Sequence, residues 1–187
     1  GPKPRSSYGT QKAMVELLMN DYSRRGFVDG RSLRLPTITV RPGKPNAATS
    51  SFLSGIIREP LNGQRATYPV PPESRFWILS PRKVVQNLIH GANMDERILG
   101  DDRMITLPGL TVSIAQMINS LEKVAGKKVT GLISHEPDAF LERIVLTWPP
   151  DFDARRAIEL GFVHDESVED IIRAYMEEEG IRENLEN

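Results

Sequence analysis

The chain of 187 residues contains no cysteine, so it offers neither a disulfide nor a thiolate for catalysis or metal binding. That absence suits a reducing compartment. Its histidines, His90, His135 and His164, stand far apart with no HxxxH or comparable spacing, which removes the usual zinc frames. The acidic pairs Asp101-Asp102 and Asp151/Asp153 read as turn or cap residues with no calcium-loop pattern around them. No apolar run approaches the ~18 residues that a membrane-crossing helix needs. A basic-then-apolar leader is not expected either. An excess of one charge is also missing, since 24 Lys and Arg face 25 Asp and Glu. Nucleic-acid and membrane-surface binding depend on a clustered positive field, so neither partner is expected. The expectation is a soluble, cytoplasmic protein.

What is present is a regular alternation of helix and strand signals. The stretch "SSYGTQKAMVELLMNDYSRRG" predicts a helix from about Tyr8 to Arg25, with a broad apolar face and a glycine stop at Gly26. "LRLPTITVRPG" alternates and is β-branched, predicting one strand of about eight residues. "FLSGIIREPLNG" predicts a helix ended by Pro60. In "RFWILSPRKVVQNLIHG" a short strand leads into a helix with Ser80 at the N-cap, Pro81 at the first position and Gly91 as C-terminal cap. "RMITLPG" predicts a strand, and "SIAQMINSLEKVAG" a helix with a Ser113/Gln116 capping box and a Gly126 stop. Further on, "ERIVLTW" predicts a strand and "DARRAIELG" a short helix capped by Asp153. "SVEDIIRAYMEEEG" predicts a final amphipathic helix, and the acidic end "EEEGIRENLEN" a solvated tail. Trp77 reads as core, and His90 as a partner of its helix dipole.

One pair carries chemistry. Tyr8 and Lys12 are four apart at the head of a helix, so both polar ends can meet at one point. A phenol is a poor base at neutral pH, and a neighbouring ammonium favours its anion, which makes proton transfer feasible. The same spacing also occurs by chance in many helices. The pair alone does not separate a catalytic role from two ordinary first-turn residues.

The segment that holds the pair, "SSYGTQKAMVELLMNDYSRRG…LRLPTITVRPG", resembles the Tyr-x-x-x-Lys segment of the extended short-chain dehydrogenase/reductase family. The resemblance continues through "SSFLSGIIREPLNG", "SPRKVVQNLIHG", "LPGLTVSIAQMI" and "FDARRAIELGFVHDESVEDII", and so covers nearly the whole chain. Within the family it points to the D-erythronate dehydrogenase group, whose members often carry the label of nucleoside-diphosphate-sugar epimerases. The resemblance implies an α/β fold. Residues 1–45 would be the C-terminal part of a Rossmann dinucleotide-binding domain, and residues 46–187 a smaller α/β substrate lobe. It also implies that Tyr8 is the general acid/base and that Lys12 binds the nicotinamide ribose and assists the tyrosine. Pro36, Thr37 and Ile38 would lie beside the nicotinamide ring.

The implied cofactor is NAD. The acidic residue that usually selects NAD over NADP is not in the chain, so the choice between them stays open. The family's glycine-rich phosphate loop and its catalytic serine or threonine are also missing, because Ser6 and Ser7 are too near Tyr8 to converge with it. The chain therefore reads as the C-terminal portion of a dehydrogenase that oxidises a hydroxyl of a small, D-erythronate-like sugar acid. Asn46, Ser51, Arg58 and Arg82 are the candidate substrate residues. The two arginines suit a carboxylate because a guanidinium can grip it through two parallel hydrogen bonds. The basic start Ser80-Pro81-Arg82-Lys83 replaces acids that epimerases tend to carry there. Arg58 can equally pair with Glu59, and the 80–83 segment can equally be a solvated helix start. Two rival readings remain. One is a nucleoside-diphosphate-sugar epimerase or dehydratase; the other is an isolated, inactive lobe that self-associates. A homo-oligomer, a dimer, is expected.

Overall fold

A computed structural model of the chain describes residues 3–4, 6–44 and 48–182. The tail beyond residue 182 lies outside the described residues. The elements are α1 (Ser7–Arg24), β1 (Ser32–Arg34), β2 (Thr37–Ile38), α2 (Ser51–Leu61), β3 (Ala66–Tyr68), β4 (Arg75–Leu79), α3 (Pro81–Asn93) and α4 (Glu96–Leu99). They continue with β5 (Met104–Thr106), β6 (Leu110–Ser113), α5 (Ile114–Ala125), α6 (Lys127–Thr130), β7 (Ile133–His135), α7 (Ala139–Val145), α8 (Arg155–Glu159) and α9 (Val168–Glu178). The expected α/β class is the one observed.

Strand pairing is mostly parallel and reaches far along the chain. β1 pairs with β5, β2 with β4, and β3 with β7, all parallel, while β6 adds to β4 antiparallel. β4 separates two cores. Side chains alternate along a strand, so Phe76 and Ile78 enter the larger cluster with Leu53, Ile56, Ile57, Met117, Leu121, Ile171 and Ile172. Leu79 enters the smaller cluster with Val84, Ile105, Leu107 and Phe162. Burying each of these aliphatic or aromatic side chains contributes about 1.5–3 kcal/mol.

Five local expectations need correction. The segment 32–38 is two short strands rather than one long one, because Pro36 has no N–H to give to a ladder. The chain changes partner there: Leu107 N donates to Arg34 O at 3.0 Å, and Thr39 N donates to Leu79 O at 3.0 Å. α2 runs one residue beyond Pro60 to Leu61, with Asn62 as its cap. Gly91 lies inside α3 rather than at its end, where a Cβ would stand 3.2 Å from Leu33 Cδ1 and 3.5 Å from Phe162 Cε1. It is the missing side chain that lets α3 pack closely on β1.

The segment "ERIVLTW" is the fourth correction, since it is mostly helix α7 rather than a strand. The Asp138 side chain accepts from Phe140 N at 2.8 Å and Leu141 N at 3.1 Å, which starts the helix. Val145 is its buried anchor. The β-branched pair Ile144-Val145 suggested a strand, and capping plus burial of one face overrode that preference.

The other caps follow the residues. Ser80 accepts from Lys83 N at 3.2 Å, Ser113 and Gln116 form the reciprocal capping box, and Ser167 accepts from Asp170 N at 3.1 Å. α8 is the fifth correction: its N-cap position is Ala154, with no side-chain cap bond. The expected Asp153 stands one residue earlier, its carboxylate accepting from Arg155 N at 3.1 Å.

Candidate active site

Ser6 sets where α1 begins. Its hydroxyl accepts from Gly9 N at 3.1 Å, and its carbonyl accepts from Thr10 Oγ1 at 3.0 Å. The helix therefore presents Tyr8 and Lys12 on its first two turns. Lys12 Nζ stands 5.4 Å from the centroid of the Tyr8 ring, in cation–π range. Tyr8 is 70% exposed, and among the described residues neither polar end is taken up in a hydrogen bond.

Both residues line an open cleft of about 830 Å³. Its floor is the short connection between β1 and β2, with Leu35, Pro36 and Thr37. The opposite wall is aromatic. Trp77 of β4 lies 4.6 Å from Phe152, centroid to centroid, and Trp148 flanks them. Gly109 supports this floor from below: a Cβ there would stand 2.7 Å from Ile78 O, 2.8 Å from Trp77 Nε1 and 3.0 Å from Pro36 Cγ.

Of the candidate residues, the structure brings Tyr8, Lys12, Pro36 and Thr37 to this cleft. Ile38 faces the other way and packs against the smaller core. Ser51 is the first residue of α2 and does not border the cleft. Asn46 lies outside the described residues. The arginines are elsewhere. Arg58 is buried, bonded to Glu59 at 2.6 Å and to Arg41 O at 2.8 Å. Arg82 is bonded to Glu177 at 2.8 Å and Glu178 at 2.9 Å, and those hydrogen bonds raise its pKa. Neither guanidinium reaches the cleft, so the structure offers the substrate neither of them there.

Sequence reading passed over two features of the site, and a distant contact of His90 away from it. Glu16 continues the Tyr8–Lys12 stripe by one more turn, and the i, i+4, i+8 spacing was a visible signal. Its partner Arg34 comes from β1, with Nε to Oε1 at 2.7 Å and Nη2 to Oε2 at 2.6 Å. The aromatic wall joins Trp77 to residues about 70 positions away, and no local pattern reports that. His90 is also placed by a distant contact, its Nε2 standing 2.8 Å from Leu160 O. Among the described residues no group of His, Cys, Asp or Glu is arranged to hold a metal ion.

The comparisons with known proteins bear on the chain as a whole. No family model matches the chain. It is 57% identical over 178 residues to a D-erythronate dehydrogenase of Cupriavidus necator, covering 95% of this chain and 55% of that protein. A D-erythronate dehydrogenase of Haemophilus influenzae is 48% identical over 174 residues, covering 93% and 55%. The crystal structure of a nucleoside-diphosphate-sugar epimerase from Agrobacterium tumefaciens matches with a TM-score of 0.93 at 51% identity. That match covers 96% of this chain and 53% of the other. Over nearly its whole length the chain is thus similar to proteins named as dehydrogenases and as an epimerase. The likeness of fold reaches further. A GalE-like L-threonine dehydrogenase from Cupriavidus necator superposes with a TM-score of 0.83 at 19% identity, a likeness of fold alone. The chain spans about half the length of the curated relatives it matches, 55% in both dehydrogenases. The Tyr8–Lys12 cleft is the feature to test for catalysis.

Proposed function

We propose that the polypeptide carrying these residues is a nicotinamide-dependent dehydrogenase that oxidises a hydroxyl group of a small, D-erythronate-like sugar acid. The observation that carries this reading is the Tyr8–Lys12 pair, facing a cleft floored by Pro36 and Thr37 with neither polar end hydrogen-bonded among the described residues, in a chain 57% identical to a D-erythronate dehydrogenase. Residues 1–45 then belong to the dinucleotide-binding half and residues 46–187 to the substrate lobe.

The donor set suits a nicotinamide. A cation and a phenol project together from one helix, and the surrounding walls are apolar enough to seat a flat ring. When bound, that cofactor supplies the acceptor for the hydride leaving the substrate carbon. Tyr8 Oη takes the hydroxyl proton as the carbonyl forms, and the Lys12 ammonium favours the phenolate that does so. Lys12 would also donate to the ribose. Pro36 and Thr37 floor the cleft, and Trp77, Trp148 and Phe152 line it.

The test is NADH or NADPH formation by the full-length gene product with D-erythronate, related aldonates and UDP- or GDP-sugars, each with either cofactor. Net reduced cofactor with an aldonate supports the reading. The likeness to a protein named nucleoside-diphosphate-sugar epimerase favours a second one. Epimerisation of a sugar nucleotide without net reduced cofactor would establish that alternative.

A further inference from the structure

Glu16 follows Lys12 by one helical turn on α1, and both border the same cleft. A lysine and a glutamate four apart on a helix normally attract each other. Here the glutamate is already committed, because Arg34 grips both its carboxylate oxygens, at 2.7 and 2.6 Å. The Glu16 side chain is only 13% exposed, so its charge needs a partner close at hand. Lys12, meanwhile, turns its ammonium toward the Tyr8 ring.

We propose that Arg34 is a positioning residue that keeps the Glu16 carboxylate off Lys12 and so leaves the Lys12 ammonium to Tyr8. The inference rests on the dehydrogenase reading of the cleft. Arg34 suits the task because its planar fork matches a carboxylate bidentately and its charge is permanent. It is also steadied from the other side, where Nη2 lies 3.8 Å from Met104 Sδ on β5. The other acid that acts on Arg34, Asp102, is held by Arg156 at 2.8 Å and does not compete for it. Without Arg34, a mostly buried carboxylate is left beside a mobile ammonium one turn away. Their pairing would draw Lys12 off the tyrosine.

Three variants of the full-length gene product separate this role from simple packing: Arg34→Gln, Glu16→Gln and the two together. Arg34→Gln should lower kcat about tenfold, the order expected when a catalytic group is displaced without being lost. Glu16→Gln leaves nothing to draw Lys12 away, so it should stay within about threefold of wild type, and the double variant should recover to the same level. A packing role predicts the reverse, with all three slow and the double slowest.

In a crystal structure of Arg34→Gln, Lys12 Nζ should lie within about 4 Å of a Glu16 oxygen. If Arg34→Gln does not fold, Arg34→Lys keeps the charge but loses the fork, so it should lower kcat by less than about tenfold, and adding Glu16→Gln should restore it. A slow Arg34→Lys that Glu16→Gln does not restore overturns the proposal. So does a wild-type rate for Arg34→Gln, or a double variant as slow as the single. Tyr8→Phe in the same assay tells the two failures apart. If it is inactive while the double variant shows no recovery, only the Arg34 assignment falls. If it is fully active, the catalytic reading falls, and this inference with it.

Discussion

Ser80 and Asp165, 85 residues apart in the chain, are joined by a pair of hydrogen bonds, Ser80 N to Oδ2 at 2.8 Å and Ser80 Oγ to Oδ1 at 2.7 Å. Both residues are buried, at 1% and 4% exposure. The same serine caps α3 by accepting from Lys83 N, so one hydroxyl closes the helix start and ties it to the 161–167 segment. Asp165→Ala should destabilise the protein by about 2–3 kcal/mol, because it removes charge-assisted bonds and leaves a buried N–H unpaired. Ser80→Ala should cost about 1–2 kcal/mol as a lost cap. Denaturant unfolding of both and of the double variant checks this. Strict additivity would show that the two residues act separately.

Tyr8→Phe keeps the ring and the packing and removes only the proton-transfer group. Turnover should fall about 10²–10⁴-fold, the range of a lost general base, while cofactor affinity stays within about threefold. Lys12→Met should lower turnover and also weaken cofactor binding, since both contacts are lost. Steady-state kinetics and cofactor titration check the split. Equal effects on affinity from both variants would argue against the separate roles assigned to them.

Much of this fold is legible in residues whose neighbours in sequence are their partners in space. The Ser113/Gln116 box and the Ser80-Pro81 start act within one turn, and both are where local chemistry puts them. The failures share a cause. Gly91 lies inside α3, where a Cβ would stand 3.2 Å from the Leu33 side chain, and not where the helix ends. Pro36 splits a strand whose two halves pair with β5 and β4, partners about 40 to 70 residues away. Ile144 and Val145 look like strand residues until Asp138 caps their helix and the core takes Val145. For the site, the i, i+4 spacing shows Tyr8 and Lys12 as a pair. The reading of Arg58 and Arg82 rests on a resemblance and on the fit of a guanidinium to a carboxylate, and neither reports which acids stand near the two arginines. Their acidic partners, Glu59, Glu177 and Glu178, occupy them in the fold.

Gly109 tests how tightly the cleft floor is supported. A Cβ at this position would come within 3.0 Å of a backbone carbonyl, the Trp77 indole nitrogen and the Pro36 ring, and the carbonyl has little room to move. Gly109→Ala should therefore cost about 1–3 kcal/mol from overpacking. The displacement should pass through Pro36 to Thr37 and raise KM, with a smaller change in melting temperature than a core truncation gives. Thermal melts and steady-state kinetics check it. An unchanged melting curve and KM would mean that the loop relaxes outward instead.

Tyr175 supplies a pH dependence with a definite sign. Burial raises its pKa above the ordinary tyrosine value, with Glu179 nearby adding to the effect, and its hydroxyl accepts from Asn62 Nδ2 at 3.4 Å. A phenol whose folded pKa is raised is held in its neutral form by the fold. Its contribution is complete below the unfolded value of about 10 and is lost as pH rises through the higher folded value. Tyr68, stacked 4.8 Å from His135, is raised by burial in the same direction. Wild-type protein should therefore lose stability above about pH 10, relative to a Tyr175→Phe variant that has no phenol to ionise. At pH 8 the two should differ only by the weak Asn62 bond and their packing. Melting temperatures of both proteins across pH 8–11.5 decide it. A constant difference over that range would mean that Tyr175 titrates in the folded protein as it does in water.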